Sequence, residues 1–263
     1  MARERYFQSR VVAVEELCPL VKHVRLERED KAPLAYTAGQ FVMIHFPNPD
    51  GVEINRSYSM AEPPGSDGYG LCVKRVDGGQ GSELIHRLEV GDVLKTSGPY
   101  GRFVLKKALP RDIILVATGT GVAPYRAMVP ELRERMDEGH RVWLLLGARY
   151  VDELLYDDVW QGLSAQWPEH FRYRPVVSRP RAASGWSGKV GYVSLFLEEL
   201  DEAIDVEDAI AYLCGVPDMI DDMREQLLDR GMTRRTVKTE KYTSPPPPGQ
   251  KASLPPGALD KRS

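Results

Sequence analysis

The sequence predicts a two-domain protein, an antiparallel Greek-key β-barrel followed by an α/β domain with a parallel five-stranded sheet and helices on both faces. Up to about residue 108, short β-type runs are separated by Gly, Pro, Asn and Asp, which is typical of antiparallel strands joined by turns. After Pro110, apolar strands alternate with helical stretches, which implies a parallel sheet wrapped by helices. A chain of 263 residues is long enough for two such cores.

The same change of pattern divides the chain into three parts. We expect the barrel domain at 1–109, the α/β domain at 110–243 and a Pro-rich C-terminal tail at 244–263. The tail carries four consecutive prolines at 245–248, which fit neither a helix interior nor a central strand. We expect this tail to be polyproline-like or without fixed structure.

The barrel is predicted from six short strands. Turn signals such as the run from Pro47 to Gly51 separate them. One short helix is predicted at Ser82–Leu88, with Ser82 as its N-cap. The predicted strands are Val11–Val14, Val21–Leu26, Phe41–Phe46, Arg56–Met60, Leu71–Val76 and Val93–Thr96.

The α/β domain is predicted from five strands and four helices. Pro130 interrupts the first helical pattern, so a kink or a restart is expected there. Pro217 suits the first turn of the last helix and Gly231 suits its C-cap. The strands are Ile113–Ala117, Val142–Leu146, Phe171–Val177, Ala209–Leu213 and Thr236–Thr239, and the helices are Val122–Met136, Asp152–Ala165, Ser194–Leu200 and Pro217–Arg230.

Composition and charge exclude several classes of function. A net charge of −3 argues against a protein that binds nucleic acid or a membrane surface. The three cysteines are far apart and form no C-x-x-C pair, so we expect no metal site and a reducing compartment. The N-terminus lacks the apolar core of a signal peptide, and no apolar run approaches the roughly 18 residues of a membrane span. We therefore expect a cytoplasmic protein.

The stretch from Ile113 to Arg126 is the first candidate binding element. An apolar strand ends in Gly119-Thr120-Gly121, and a helical pattern follows. Glycines allow close approach of a ligand to the backbone, and a helix N-terminus attracts phosphate. The same arrangement also occurs as a plain strand–helix turn, and the spacing does not complete the G-x-G-x-x-G pattern of dinucleotide folds.

Two further candidates lie in the predicted barrel. Arg56 and Tyr58 share one face of a strand, while Ser57 and Ser59 share the other. This pair suits a ligand with an anionic group and a flat ring, although an edge strand with a surface Arg has the same pattern. The Gly-rich loop at 78–82 leads into a predicted helix start and is either a phosphate-binding loop or a flexible hairpin.

Basic residues follow the strands of the second domain. Arg149, Arg179 and Lys189 each lie near a predicted strand end, where three cations could together bind a phosphate dianion. Taken singly, each is equally typical of a solvated loop charge.

Eight short motifs occur in one order along both predicted domains. They are R-S-Y-S at 56–59, L-C-V-K-R at 71–75, the G-x-x-x-S loop at 78–82, G-T-G-V-A-P-Y-R at 119–126, L-L-Y at 154–156, V-S-R at 177–179, C-G-V-P-D-M at 214–219 and E-K-Y at 240–242. Taken together, they resemble the ferredoxin–NADP(+) reductase family over residues 5 to about 243. This resemblance implies an FAD-binding barrel followed by an NADP-binding α/β domain.

The resemblance implies roles for residues around the FAD. Arg56 would pair with the FAD pyrophosphate, helped by the backbone near Gly81 and Ser82. Tyr58 would stack on the isoalloxazine, and Ser59 would hydrogen-bond near the flavin N5. The remaining implied FAD-binding residues are Ser57, Cys72, Val73 and Lys74.

The resemblance also implies roles around NADP. Cys214 would lie beside the reactive nicotinamide carbon, Glu240 would help protonation, and Tyr242 would cover the flavin until nicotinamide displaces it. Ser178 and Arg179 occupy the place where the family reads the 2′-phosphate. The remaining implied NADP-binding residues are Thr118, Gly119, Thr120, Gly121, Arg149, Lys189, Gly215 and Pro217.

The expected function is hydride transfer between NADP(H) and FAD, coupled to single-electron exchange with a separate ferredoxin or flavodoxin, in either direction. The alternatives are the reductase of an oxygenase or a free-flavin reductase, a flavoprotein subunit of a larger electron-transfer complex, and a nucleotide-binding module without turnover. We expect a monomer or a weak dimer. Arg102, Lys106 and Lys107 are candidates for docking an acidic carrier, and a solvated basic linker is the alternative.

Overall fold

The structure is a computed structural model that describes residues 6–242. Its first half is a sheet of six antiparallel strands with the order β4-β3-β6-β1-β2-β5. A bridge between Met60 and Leu71 joins the two outer strands, so the sheet closes into the predicted barrel. The strands are β1 (Phe7–Cys18), β2 (Val21–Arg28), β3 (Phe41–Pro47), β4 (Glu53–Ser59), β5 (Tyr69–Lys74) and β6 (Val93–Tyr100), and helix α1 (Gln80–Arg87) lies between β5 and β6.

The second half is a parallel sheet with the strand order β11-β10-β7-β8-β9. Its strands are β7 (Asp112–Thr118), β8 (Arg141–Ala148), β9 (Phe171–Val177), β10 (Ala209–Gly215) and β11 (Val237–Lys241). Its helices are α2 (Ala123–Asp137), α3 (Asp157–Gln166), α4 (Leu197–Ala203) and α5 (Pro217–Asp229).

Alternating side chains of the parallel strands form two cores, one on each face of the sheet. Ile113 and Leu115 pack with residues of α2 and α3, whereas Ile114 and Val116 pack with residues of α4 and α5. A parallel strand buried on both sides is apolar at every position, which is why β7 reads as a continuous apolar run. The predicted fold class, with helices on both faces, is confirmed.

Three local predictions differ from the structure in part or in full. Of the kink or restart expected at Pro130, no restart occurs, because buried Met128 and Leu132 fix helix α2 on the sheet on either side of the proline. Helix α1 begins at Gln80 after Gly79, and the Ser82 hydroxyl donates back to the Gly79 carbonyl at 2.9 Å instead of capping the helix.

The helix predicted from Asp152 begins later, at Asp157. A short 3₁₀ turn at Val151–Glu153 precedes it, and Tyr156 then takes a left-handed conformation with φ of 58°. A left-handed residue cannot continue a right-handed helix, so the helix starts only after Tyr156.

Residues 6–242 contain neither a membrane-spanning helix nor a metal-binding cluster. None of the helices there is long and apolar enough to cross a membrane. No cluster of His, Cys, Asp and Glu within this part of the chain is arranged to hold a metal ion. The predicted tail at 244–263 lies outside the described residues.

Candidate functional site

The two halves of the molecule meet where barrel strand β4 ends and the parallel strands reach their carboxyl ends. The Ser59 hydroxyl, at the end of β4, donates a hydrogen bond of 2.7 Å to Oε1 of Glu240 on β11. Ligands of parallel α/β sheets bind at this edge. The structure thus brings together two site residues that are 181 positions apart in the chain.

Cys214 and Tyr242 complete this junction. Cys214 is fully buried at the end of β10, and the Tyr242 N–H donates to the Gly215 carbonyl at 2.8 Å. The Tyr242 hydroxyl lies near Ser59 and Cys214 but is buried without a partner in good hydrogen-bonding geometry. The Tyr242 side chain therefore belongs to the same buried junction as Ser59 and Cys214.

Burial changes the protonation of this junction. It raises the pKa of the Cys214 thiol well above its usual range, and the nearby Glu240 charge adds to the shift, so the thiol stays protonated. Burial also raises the pKa of Glu240, although the hydrogen bond from Ser59 lowers it in part. The site therefore holds a neutral thiol and a carboxyl group that accepts protons more readily than an exposed one.

The glycine turn after β7 packs directly against the end of β10. A Cβ atom on Gly121 would lie 2.2 Å from the carbonyl oxygen of Cys214 and 2.8 Å from Cα of Gly215. A Cβ on Gly215 would lie 2.3 Å from Oγ1 of Thr118, and the Val216 N–H donates to that hydroxyl at 3.2 Å. The glycines are needed here for close backbone approach.

The outer part of the glycine turn, at Gly119, is less closely packed than Gly121 and Gly215. A Cβ on Gly119 would meet nothing within 4 Å, and its φ of 52° is left-handed. Gly119 and Thr120 form a short 3₁₀ turn ahead of α2. The turn therefore packs tightly on the strand side and is open on the other side, where a coenzyme could lie.

The residues implied for the FAD phosphates also converge. A Cβ on Gly81, in the first turn of α1, would lie 2.6 Å from the Tyr58 hydroxyl and 2.7 Å from Cγ of Arg56. No side chain caps α1, which leaves N–H groups of its first turn for a ligand. Arg56 donates to the Asn55 carbonyl at 2.7 Å and is otherwise only partly buried. A cation, an aromatic ring and a helix N-terminus together fit a dinucleotide with a flat ring.

The β5 residues divide among three environments. The Val73 side chain packs in the barrel core, so only its main chain is available to a cofactor. Cys72 is buried in the core that joins the barrel to the α/β domain. Lys74 lies 3.6 Å from Glu153 in an ion pair between the two halves.

Ser57, on β4, is the remaining residue implied for FAD binding. It is exposed on the opposite face of that strand from Arg56.

The basic residues of the α/β domain converge only in part. The Arg179 N–H donates to the Arg149 carbonyl at 2.9 Å, which places the two arginines on neighbouring strand ends, and both side chains are exposed. Ser178 pairs with Ala148 in the same way at 3.0 Å. The Lys189 ammonium instead donates to the Leu195 carbonyl at 2.9 Å and lies over the Phe196 ring. Of the three cations expected to bind a phosphate together, Arg149 and Arg179 are exposed on adjacent strand ends, whereas the Lys189 ammonium already donates to a backbone carbonyl.

The sequence did not predict a cavity of about 430 Å³ that is lined by residues following these arginines in the chain, among them Tyr150, Asp152 and Arg181. The guanidinium of Arg181 stands 4.3 Å over the Tyr150 ring and 3.3 Å from Asp152. The only sequence signal was the position of Arg181 two residues after Arg179. Pro217 lies at the start of α5, next to Val216 and the glycine turn.

Comparison with known proteins agrees with this arrangement. Residues 8–105 match the family described as oxidoreductase FAD-binding domain, and residues 115–225 match the oxidoreductase NAD-binding domain. The chain is 36% identical over 248 residues to ferredoxin–NADP reductase B of Sorangium cellulosum, covering 92% of this chain and 100% of that protein. It is 32% identical over 240 residues to the phenol hydroxylase P5 protein of Acinetobacter pittii, covering 90% of this chain and 66% of that protein.

Two solved structures show the same fold. A ferredoxin NADP⁺ reductase from Neisseria gonorrhoeae with bound FAD and NADP has a TM-score of 0.77 at 24% identity, covering 91% of this chain and 99% of the other. The cytochrome b5 reductase domain of Ulva prolifera nitrate reductase has a TM-score of 0.78 at 20% identity, covering 91% of this chain and 98% of the other.

The fold and the two matched domains define a flavoprotein oxidoreductase with an FAD-binding barrel and a nicotinamide-dinucleotide domain. Within that class, the chain belongs to the ferredoxin–NADP reductase family. The resemblance and the cofactors expected from the sequence are confirmed. The roles of individual site residues remain predictions.

Replacing Arg56 tests the FAD site. Arg56→Ala removes the cation beside Gly81 and α1, so we expect FAD to bind about 10- to 100-fold more weakly, as for loss of a charged hydrogen bond. Titration of flavin-free protein with FAD, followed by flavin fluorescence, measures this. Arg87→Ala is the matched control, because Arg87 lies in the last turn of α1 and, within residues 6–242, forms an ion pair with Glu83 alone. Equal affinities for the two variants would contradict the assignment.

Proposed function

We propose that the protein transfers hydride between NADP(H) and FAD and exchanges single electrons between FAD and a separate ferredoxin or flavodoxin. The observation that carries this proposal is the hydrogen bond between Ser59 and Glu240 beside buried Cys214. It sets the barrel strand with the FAD-binding residues against the coenzyme edge of the α/β sheet. When bound, FAD supplies the conversion between two-electron and one-electron transfer.

The protein residues would position the reactants and handle protons. Tyr58 would hold the flavin ring in place, and the turn at Gly119–Gly121 would hold the coenzyme. Glu240, with its raised pKa, would exchange protons through Ser59. Tyr242 and Cys214 would exclude water from the reacting atoms, since both lie within the buried junction.

We propose that NADP(H) is preferred over NAD(H). NADP differs by a 2′-phosphate, for which a site normally provides Arg or Lys. Arg149 and Arg179 support this choice, because they lie on adjacent strand ends with exposed side chains. Lys189 contributes only charge at longer range, because its ammonium is engaged by Leu195.

Replacing Arg179 tests the coenzyme preference. We expect Arg179→Ala to weaken NADPH binding by roughly 1.5–3 kcal/mol and to leave NADH kinetics almost unchanged, because NADH lacks the phosphate. Steady-state kinetics with both coenzymes measure the difference. Arg172→Ala, at the opposite end of β9, is the control, since the ion pair of Arg172 in the described part of the chain is with Glu169 at 3.8 Å. Equal losses for the two coenzymes would overturn the assignment.

The electron carrier would dock on the basic surface of the segment between β6 and β7, which lies beside the amino end of β11. Arg102, Lys106 and Lys107 are exposed there, and the Lys106 ammonium donates to the Arg235 carbonyl at 3.2 Å. Lys238 lies beside Lys106, and burial together with that neighbouring charge lowers the pKa of Lys238. Basic surface of this kind favours an acidic partner.

A second candidate function is that of a reductase in an oxygenase system. The similarity to the phenol hydroxylase P5 protein favours it, although this chain covers 66% of that protein. Stopped-flow reduction by NADPH and by NADH, followed by addition of ferredoxin, flavodoxin or an oxygenase component, separates the two functions. A purified protein without flavin absorbance would contradict both.

Three further proposals concern organisation. We keep the domain limits 1–109 and 110–243 and the tail 244–263, and the matched ranges 8–105 and 115–225 support the first two. A monomer or weak dimer remains the proposed state, which light scattering would measure. A cytoplasmic location remains the proposal from the sequence, and the free thiols of Cys18, Cys72 and Cys214 agree with a reducing compartment.

A further inference from the structure

Arg126 links the segments that leave the two cofactor sites. It lies on α2, five residues after Gly121 of the coenzyme turn. Its partner Glu62 follows β4 and lies three residues after Ser59. Any contact between these side chains therefore couples the flavin strand to the coenzyme helix through very short pieces of chain.

The contacts of Arg126 with the barrel are close and partly buried. Its Nη1 lies 3.0 Å from Oε2 of Glu62 and donates to the Ala61 carbonyl at 2.7 Å. The side chains of Arg126 and Glu62 are only 24% and 15% exposed. The guanidinium also stands 4.9 Å over the ring of Tyr156, which belongs to the α/β domain. Arg126 thus holds both halves at one point.

Two more side chains close this contact into a ring. Nε2 of His23, from the barrel, lies 3.0 Å from Oε1 of Glu62. Nδ1 of His23 is 2.8 Å from the Tyr156 hydroxyl. Glu62 and His23 thus come from the barrel, whereas Arg126 and Tyr156 come from the α/β domain. We call these four residues the interdomain ring.

The interdomain ring is charged at neutral pH. Burial raises the pKa of Glu62, but the close contacts of its carboxylate with His23 and Arg126 outweigh burial and bring that pKa to about 2. A carboxylate that is partly buried needs its partners, because removal of one partner leaves an uncompensated charge. The backbone at Tyr156 is left-handed, and its ring and hydroxyl are held by Arg126 and His23.

We propose that Arg126 is a positioning residue for the reaction, which sets the spacing and angle between the flavin and the nicotinamide by fixing α2 to the segment that follows β4. It touches neither reactant and acts through Glu62 and Tyr156. Reaction rates depend steeply on such geometry, since a misplacement of about 1 Å can lower a rate by about a hundredfold. This inference rests on the proposed function of the junction.

The main test compares Arg126→Ala with Arg126→Lys and Glu62→Gln. For Arg126→Ala we expect the limiting rate of flavin reduction by saturating NADPH to fall about tenfold or more, with NADPH affinity and FAD content unchanged. Lys keeps the ion pair but loses the planar contacts, so Arg126→Lys should recover part of the rate. Glu62→Gln should resemble Arg126→Ala, and the Arg126→Ala/Glu62→Gln double variant should be no slower than either single variant.

The matched control is Arg133→Ala. Arg133 lies two turns further along α2, is exposed and stands over the Trp167 ring instead of contacting the barrel. We expect its rate to equal that of the unchanged protein. An unchanged limiting rate in Arg126→Ala, or an equal loss in Arg133→Ala, would overturn the proposal.

A second readout does not depend on turnover. Spin labels at Val90→Cys on the barrel and Glu202→Cys on α4 report the distance between the halves, because the three native thiols are buried and both new sites are exposed. In flavin-free protein we expect Arg126→Ala to broaden this distance distribution and Arg133→Ala to leave it sharp. Equal distributions would contradict the positioning role. Failure of the unchanged protein to be reduced by NADPH would instead contradict the proposed function. The distance distributions would still show whether Arg126 fixes the two halves to each other.

Discussion

Gly121→Ala is expected to lower flavin reduction by NADPH at least about a hundredfold, a barrier increase of roughly 2.7 kcal/mol. The new Cβ would lie 2.2 Å from the carbonyl oxygen of Cys214, 2.6 Å from its carbonyl carbon and 2.8 Å from Cα of Gly215. All three are backbone atoms of a central strand and cannot move aside as a side-chain end can. The glycine turn must therefore move away from β10, which would displace the nicotinamide that we propose to bind beside Cys214.

Stopped-flow absorbance measures this loss, and flavin absorbance of the purified variant shows whether the barrel still holds FAD. Gly162→Ala is the control, because a Cβ there meets nothing within 4 Å on helix α3. Alanine is the better helix former, so this control should keep its activity and gain about 0.5–1 kcal/mol of stability. A Gly121→Ala protein that is reduced at the original rate would show that the turn does not hold the coenzyme.

Glu240→Gln is expected to lower the same rate by about a hundredfold, the lower end of what a positioned proton-transfer group contributes. Gln keeps the shape of Glu240 and can still accept the hydrogen bond from Ser59, which is 2.7 Å long in the unchanged protein. It cannot gain or lose a proton near neutral pH. The loss therefore isolates proton transfer from packing.

The pH dependence provides a sharper form of this test. Burial raises the pKa of Glu240 above its usual value of 4.5, so the rate should show an inflection above that pH. Ser59→Ala removes the hydrogen bond that favours the carboxylate, so its inflection should move to higher pH. In Glu240→Gln the inflection should disappear, while Thr239→Ala, on the exposed face of β11, should keep it. An inflection that persists in Glu240→Gln would assign it to another group.

The raised pKa of Glu240 also makes the free energy of unfolding depend on pH. A carboxyl group whose pKa is raised by folding holds its proton more tightly in the folded state than in the unfolded state. The free energy of unfolding therefore falls as pH rises from about 4.5 through the folded pKa. Glu240→Gln should lack this decline, which denaturant unfolding at several pH values would show.

Much of the fold followed from patterns in the sequence. The change at Pro110 from turn-rich strands to strands alternating with helices reflects a real difference between an antiparallel barrel and a parallel sheet. The apolar run at Ile113–Ala117 has no polar position because both of its faces are buried. Such patterns are local, so a single chain displays them directly.

Local errors occurred where packing overrides propensity. Pro130 is tolerated within α2 because buried neighbours fix the helix on the sheet. Helix propensities of single residues do not include the stabilisation that comes from such packing. Tyr156 ends one turn and starts α3 from a left-handed conformation that its ring and hydroxyl contacts stabilise. Those contacts come from distant parts of the chain.

By itself the sequence determined the two domain types, the order of their elements and the family motifs, because periodicity, turn residues and short motifs lie within a few positions of one another. Only the tertiary structure decided which of these residues meet. It joined Ser59 to Glu240, left Arg149 and Arg179 exposed while engaging Lys189, and built the interdomain ring around Arg126. Contacts between residues far apart in the chain depend on how the two domains pack. That packing depends on the complementary surfaces of both domains, which no single segment of the sequence contains.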